Sequence, residues 1–430
     1  MSFATSNIKP PIKSSGYVRQ LITIGAFFFI FGFITWVNGT LIPYLRIACE
    51  LEEWQAYLVT FAFYISYTIL AIPSSRVLRY TGMIGGMSIG LIAMAAGCIV
   101  FVPAALARYY PLFLLGLFII GAGLTILQTA VNPYITLIGP FDKAAQRMSI
   151  MGICNKFAGI IAPLILGSIL LKNADGLILE LKILDPIEKA IRLDNLARSV
   201  ILPYIILSVS LFVIAFGIKY AHLPEIVPSP IISSGSNSRI EKQLILPRSN
   251  LMFGFIAIFC TVGLEVIAGD TIANYGLYQG LSLNFAKNLT SFTLTSTLIG
   301  YLFGTFAIPR IISQQKAYLY SSALGVGIVI LAITTSGITS VLFIALLGLS
   351  NALLWPAIWP IALKGLSGKT LNKVSAILIM GIAGGAIMPL IYTWVSHYSN
   401  NRFAYFILIP CYLFNLYYGL RGKGSVYWKK

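Results

Sequence analysis

Apolar runs of about 20 residues recur along the whole chain, separated mostly by short polar segments, and this is the period of helices that cross a bilayer. Twelve such runs are read, at 19-45, 54-78, 83-106, 111-138, 146-171, 200-220, 250-276, 286-309, 317-335, 339-363, 373-396 and 402-420. The fold class expected is an all-α integral membrane protein with twelve transmembrane helices. The polar residues 1-18 before the first run read as a cytoplasmic tail, since the run after them is too long for a signal-peptide core. A polar, proline-rich stretch at 221-249 reads as a cytoplasmic linker between an N-terminal six-helix bundle, 19-220, and a C-terminal one, 250-420, with a short tail at 421-430. The loop at 172-199 mixes Ile178, Leu179, Leu181 and Ile183 with charges. It is read either as a helix lying on the membrane interface or as a solvated loop.

The two halves echo each other. Ala71-Ile72-Pro73 recurs as Ala307-Ile308-Pro309, and Ile150-Met151-Gly152-Ile153 as Ile379-Met380-Gly381-Ile382, each in a corresponding run and in the same order. Two parallel repeats of this kind place a substrate site near the midplane at their interface, opened to each side in turn by rocking.

Composition closes off other classes. Of 430 residues, 58% are hydrophobic and 10% charged, which excludes a soluble enzyme, a disordered chain and a secreted disulfide scaffold. The net charge of +17 is unevenly spread. With both termini on the cytoplasmic side, that side carries 20 basic and 3 acidic residues and the outer side 9 basic and 8 acidic. This asymmetry orients the chain, and it implies contact with anionic lipid and not with nucleic acid. The five cysteines and two histidines show no metal-ligand spacing, and two histidines near helix ends cannot form a proton relay across a membrane.

Polar side chains inside hydrocarbon are costly and tend to face a cavity or a partner. The fourth run carries Thr125, Gln128, Thr129 and Asn132 on one helical face, and the tenth carries Asn351, Trp355 and Trp359 at i, i+4 and i+8. Amides that donate and accept, beside flat aromatic faces, suit the hydroxyls and the C–H face of a sugar ring. The competing account is that the amides tie helices together and the indoles pack in the core. Asn38 and Asn155 are candidates for the same cavity. Three ionisable groups lie within runs: Lys156, Glu265 and Asp270. Lys156 stands ten residues past Gln146, about 15 Å along a helix, too far to snorkel easily. Glu265 and Asp270 are about 140° apart on a straight helix and share a face only if Gly269 marks a break. Either could pair with Lys156 or hold a driving cation, with Glu265 the first candidate for coupling.

At these residues the sequence resembles the fucose–proton symporter family within the major facilitator superfamily, and more closely its glucose/galactose transporter branch. The resemblance rests on Phe31-Gly32-Phe33-Ile34-Thr35-Trp36 with Asn38-Gly39, QAYLVTFAFYISY at 55-67, LQTAVNPYITLIGP at 127-140 and SIMGICNKFAG at 149-159. It continues in GLEVIAGDTIANYG at 263-276, NALLWPAIWPIALKGL at 351-366 and ILIMGIAGGAIMPL at 377-390. It implies hexose uptake by symport with Na+ or H+, by alternating access, in a bacterial-type inner membrane, with no resident cofactor; a monomer is expected. The fucose branch has carboxylates where this chain has Asn38 and Gln128. An amide still bonds a hydroxyl but cannot change charge, so that branch's proton route does not carry over. The alternatives are a fucose or polyol symporter, a sugar uniporter, and, in a different class, a membrane sugar sensor or a lipid-linked-sugar enzyme.

Overall fold

The computed structural model describes residues 14–138, 144–171, 174–218, 248–308, 310–363, 374 and 376–421. The expected N-terminal tail up to residue 13, the linker up to residue 247 and the C-terminal tail from residue 422 lie outside the described residues. Helix is the regular structure throughout the described residues, as hydrocarbon demands of a chain whose N–H and C=O groups have no water to bond.

The first part of the chain forms α1 (Ser14–Trp36), α2 (Asn38–Ala48), α3 (Glu53–Ala56), α4 (Leu58–Leu106), α5 (Tyr110–Leu137) and α6 (Ala144–Leu170). Then come α7 (Ala174–Ile183), α8 (Pro186–Arg198) and α9 (Ile201–Gly217). After the linker follow α10 (Arg248–Asp270), α11 (Ile272–Tyr278), α12 (Leu283–Ala286), α13 (Leu289–Ala307), α14 (Gln314–Thr334), α15 (Gly337–Asn351) and α16 (Leu354–Leu363). The last helices are α17 (Gly384–Tyr398) and α18 (Leu408–Arg421), entered through the 3-10 turns Gly381–Ala383 and Phe403–Ile407. Among the described residues ten stretches are long and apolar enough to cross a membrane. One of them, Trp54–Leu106, holds 53 residues and takes in two of the expected runs. It folds at Gly82, where φ is 72° and ψ is 177°, a backbone conformation open essentially to glycine alone.

Several runs expected as single helices are broken. The first divides at Val37, the seventh at Thr271, the tenth after Asn351 and the eleventh at Gly381–Ala383. A break frees carbonyls that must find donors. At the end of α10 threonines supply them: Thr271 Oγ1 donates to Ile267 O (2.7 Å), Thr293 Oγ1 to Ala268 O (3.2 Å) and Thr290 Oγ1 to Gly269 O (2.8 Å). Within the 172–199 loop, Ala174–Ile183 and Pro186–Arg198 are helical as α7 and α8. Asp185 caps α8 by accepting from the N–H groups of Ile187 and Glu188, and Pro186 stands at its first turn. Leu179, Ile183, Ile187 and Ile191 form an exposed apolar row along the two helices, the pattern of a segment lying in an interface.

Two close crossings organise the packing. Gly32 on α1 meets the carbonyl of Asn155 on α6, where an added Cβ would lie 1.8 Å from the oxygen. In the second half Gly384 on α17 meets the carbonyl of Phe259 on α10 with the same 1.8 Å. The corresponding runs, first with fifth and seventh with eleventh, therefore cross backbone to backbone through one glycine each. α13 packs against both α6 and α15 and so bridges the two parts of the chain.

The end of the molecule that carries α7 and α8 is closed by contacts between the two parts. Thr60 Oγ1 donates to Asp270 Oδ2 (3.0 Å), Asn274 Nδ2 to Tyr57 Oη (3.0 Å) and Ser291 Oγ to Ile160 O (3.0 Å). Lys287 Nζ reaches Leu171 O (3.0 Å) at the same end. At the opposite end Gln146 Nε2 donates to Thr305 O (3.2 Å). The crossings yield a direct expectation: Gly32→Val or Gly384→Val forces two backbones apart. Each costs at least about 1–3 kcal/mol of overpacking strain. Thermal unfolding of the purified protein in detergent is expected to shift down by several degrees for either variant, whereas an unshifted transition would mean the helices have room to part.

Candidate functional site

A cavity of about 100 Å³ lies between the two parts of the chain, room for roughly 7–10 waters at about 10–15 Å³ each. Six of the ten residues singled out in the sequence line it: Gln128, Asn132, Asn155, Lys156, Glu265 and Trp355. The other four, Asn38, Asp270, Asn351 and Trp359, are buried outside its lining.

Local structure explains each placement. On α5 the threonines turn back onto their own helix, with Thr125 Oγ1 donating to Gly121 O and Thr129 Oγ1 to Thr125 O, both at 2.7 Å. Gln128 and Asn132 are left to face the cavity, and Gln128 Nε2 donates to the phenol of Tyr67 (3.2 Å). Asn155 Nδ2 donates to Phe28 O (3.3 Å), beside the α1–α6 crossing. Of the stripe expected through Asn351, Trp355 and Trp359 only Trp355 lines the cavity, and the helix is interrupted at residues 352–353 between α15 and α16. Trp355 reaches the cavity and packs edge-on against Trp359, with ring centroids 5.5 Å apart. Asn351 Oδ1 accepts from the Tyr412 hydroxyl (2.6 Å). Among the described residues the buried Asn351 amide N–H and Trp359 indole N–H have no hydrogen-bond partner. Asn38 is likewise buried with both amide atoms unpartnered, against a small apolar void lined by Phe63, Leu117 and Tyr204.

The cavity's electrostatics centre on one ion pair. Lys156 Nζ on α6 donates to Glu265 Oε1 on α10, and the ammonium also sits 4.3 Å from the centre of the Trp36 ring. Asp270 takes no part in this pair. α10 runs unbroken through Gly269, so the two acids stay on different faces, and Asp270 turns instead toward Thr60 on α4. Among the described residues no group of three or more histidine, cysteine or acidic side chains is placed to hold a metal ion.

Aromatic side chains supply what the sequence reading omitted. Phe28, Phe31, Trp36, Tyr64, Tyr67 and Tyr301 all line the cavity. Tyr64 and Tyr67 stack with centroids 6.1 Å apart. Their i, i+3 spacing on α4 was a readable signal, but tyrosine in an apolar run looks the same whether it packs in a core or borders water. The arrangement offers amide donors and acceptors, phenol hydroxyls and flat rings around a small wet space, with a neutralised charge pair in its wall. That set can bind a polar, uncharged solute with both hydroxyl and C–H faces.

The chain's similarity to known proteins agrees with this architecture. It is 30% identical over 416 residues to a glucose/galactose transporter of Brucella abortus, covering 96% of each chain. It is 27% identical over 394 residues to the L-fucose-proton symporter of Escherichia coli, covering 90% of this chain and 89% of that one. The crystal structure of the transporter FucP in its outward conformation superposes with a TM-score of 0.76 at 26% identity, covering 94% of this chain and 99% of that chain. The model of the Major Facilitator Superfamily matches residues 22–408. With that match across nearly all of its helices, the chain is a multi-pass membrane protein that belongs to the Major Facilitator Superfamily.

Proposed function

We propose that the protein takes up hexoses of the glucose and galactose type together with a cation, by alternating access across a bacterial inner membrane. The twelve runs cross the membrane as two six-helix repeats, with both termini in the cytoplasm and the α7–α8 end outside. The observation that carries the reading is the cavity of about 100 Å³ between the two parts of the chain, lined together by Gln128, Asn132, Asn155 and Trp355. Amides bond sugar hydroxyls in either direction and the indole face packs on the ring's C–H face, while a uniformly apolar cavity would exclude such a solute. The names of the relatives support the same class of substrate.

In this reading Asn351 and Trp359 border the site from behind Trp355, and their unpartnered N–H groups reach the substrate when the helices around the α15–α16 break rearrange. Asn38 joins them from the α1–α2 break. Lys156, Glu265 and Asp270 are the candidates for coupling, with Asp270 outside the lining of the sugar cavity. One co-transported positive charge gains about 2.3 kcal/mol per 100 mV, which supports roughly 50-fold accumulation before any chemical gradient is added. A single cation per sugar is therefore sufficient for uptake. The Lys156–Glu265 pair joins α6 to α10 across the two parts, so opening the α7–α8 end must separate it or carry one partner along.

Three outcomes are expected. Proteoliposomes holding the protein accumulate labelled glucose or galactose when a pH or sodium gradient is imposed, and a failure of both gradients with every hexose tried would defeat the proposal. Gln128→Ala removes labelled-hexose uptake with membrane expression intact; unchanged uptake would take Gln128 out of the binding site. Lys156→Met leaves a buried carboxylate unpaired and costs about 3–5 kcal/mol. The double variant Lys156→Met with Glu265→Met recovers most of that stability in thermal unfolding, and a double variant no more stable than the single one would argue against mutual neutralisation.

A further inference from the structure

The two carboxylates of α10 have different electrostatic fates. Glu265 is neutralised by Lys156. Asp270 is only 2% exposed, and no ion pair among the described residues reaches it. Its hydrogen bond is the one from Thr60 Oγ1, at 3.0 Å to Oδ2. Its titratable neighbours are the phenol of Tyr64 on α4 and, on another face of its own helix, Glu265, and Tyr57 lies one helical turn from Thr60. Lys156 on α6 is committed to Glu265. From α13 come only the hydroxyls of Thr290 and Thr293, which are spent on the carbonyls of Gly269 and Ala268. A negative Asp270 would thus be shut away from water with no cation among the described residues to balance it, which is costly for a carboxylate.

Such a group is stable only with its charge cancelled. A hard metal cation gathers a shell of oxygen ligands, and Thr60 provides one hydroxyl here; a proton needs a single acceptor. Resting on the symport reading above, we propose that Asp270 carries the co-transported proton and that its protonation permits the α7–α8 end to close. The Thr60–Asp270 bond runs between the two parts of the chain, and the Tyr57–Asn274 bond forms the next rung of the same seal. When the carboxyl takes a proton from water at the α7–α8 end, it can be buried against α4. When it is ionised, the rung cannot be buried and that end stays open to solvent. The proton leaves to water at the opposite end once the carboxyl becomes accessible there. Coupling then lies about one helical turn beyond Glu265, and it needs no carboxylate at Asn38 or Gln128.

The test compares wild type with Asp270→Asn, a neutral isostere of the protonated acid, in proteoliposomes loaded with a pH-sensitive dye. Labelled galactose and glucose are offered under an imposed pH gradient and, separately, a sodium gradient. Wild type is expected to accumulate sugar at least tenfold with the pH gradient and to show proton entry on addition of sugar. Asp270→Asn is expected to exchange labelled sugar within a few-fold of the wild-type rate, yet to accumulate none and to move no protons. Accumulation by Asp270→Asn under the pH gradient would overturn the proposal, as would wild-type accumulation driven by sodium alone. Absence of any sugar flux in wild type would instead remove the transport reading on which the proposal stands. Should Asp270→Asn fail to reach the membrane, Asp270→Glu decides: a shifted pH profile of accumulation supports the assignment and an unshifted one overturns it.

Discussion

Two opposite charges withdrawn from water inside a membrane protein survive by facing each other, and here Lys156 and Glu265 do so from helices on either side of a cavity. The effective cost of withdrawing each ion is several kcal/mol, so neither residue is tolerable alone at that depth. Their pairing fixes how α6 stands relative to α10. It also places Trp36, whose ring covers the ammonium and whose edge fills the space beside Gly269. The polar part of the cavity wall is built around this neutral pair.

The close approach of the helices rests on the absence of side chains at a few points. Gly32 and Gly384 let backbones touch carbonyl to α-carbon, and the cross-over occurs between corresponding runs in each part of the chain. Broken helices are the complement of this tightness. Every interruption releases carbonyls into a place without water, and Thr271 with the threonines of α13 is positioned to bond those at the end of α10. Threonine-rich α13 reads as weakly apolar for that reason, and its hydroxyls belong to the backbone of its neighbours more than to any solute.

Relatives named as fucose–proton and glucose/galactose transporters match about nine tenths or more of the chain, in which positions 38 and 128 are amides. An amide contributes hydrogen bonds at constant charge. Two acids lie on α10, and packing sorts them: one is tied to a lysine, the other to a hydroxyl. The distinction is one of solvation, since both are carboxylates on the same helix five residues apart.

Much of this was written in the chain before any folding. Runs of about 20 apolar residues, the uneven spread of lysine and arginine and the stranded amides determined a membrane protein with polar groups facing inward, because hydrocarbon admits few other solutions. Periodicity also separated Gln128 and Asn132 from their lipid-facing neighbours on unbroken α5. It failed where helices break: Asn351, Trp355 and Trp359 share a face only on a straight helix, and the interruption after Asn351 sends them to different surroundings. Nor could spacing decide which acid meets Lys156, or that Tyr64 and Tyr67 border the cavity, because those are contacts between helices far apart in the chain. Their distances follow from how closely glycines let the backbones approach, and that is settled only when all the helices are packed together.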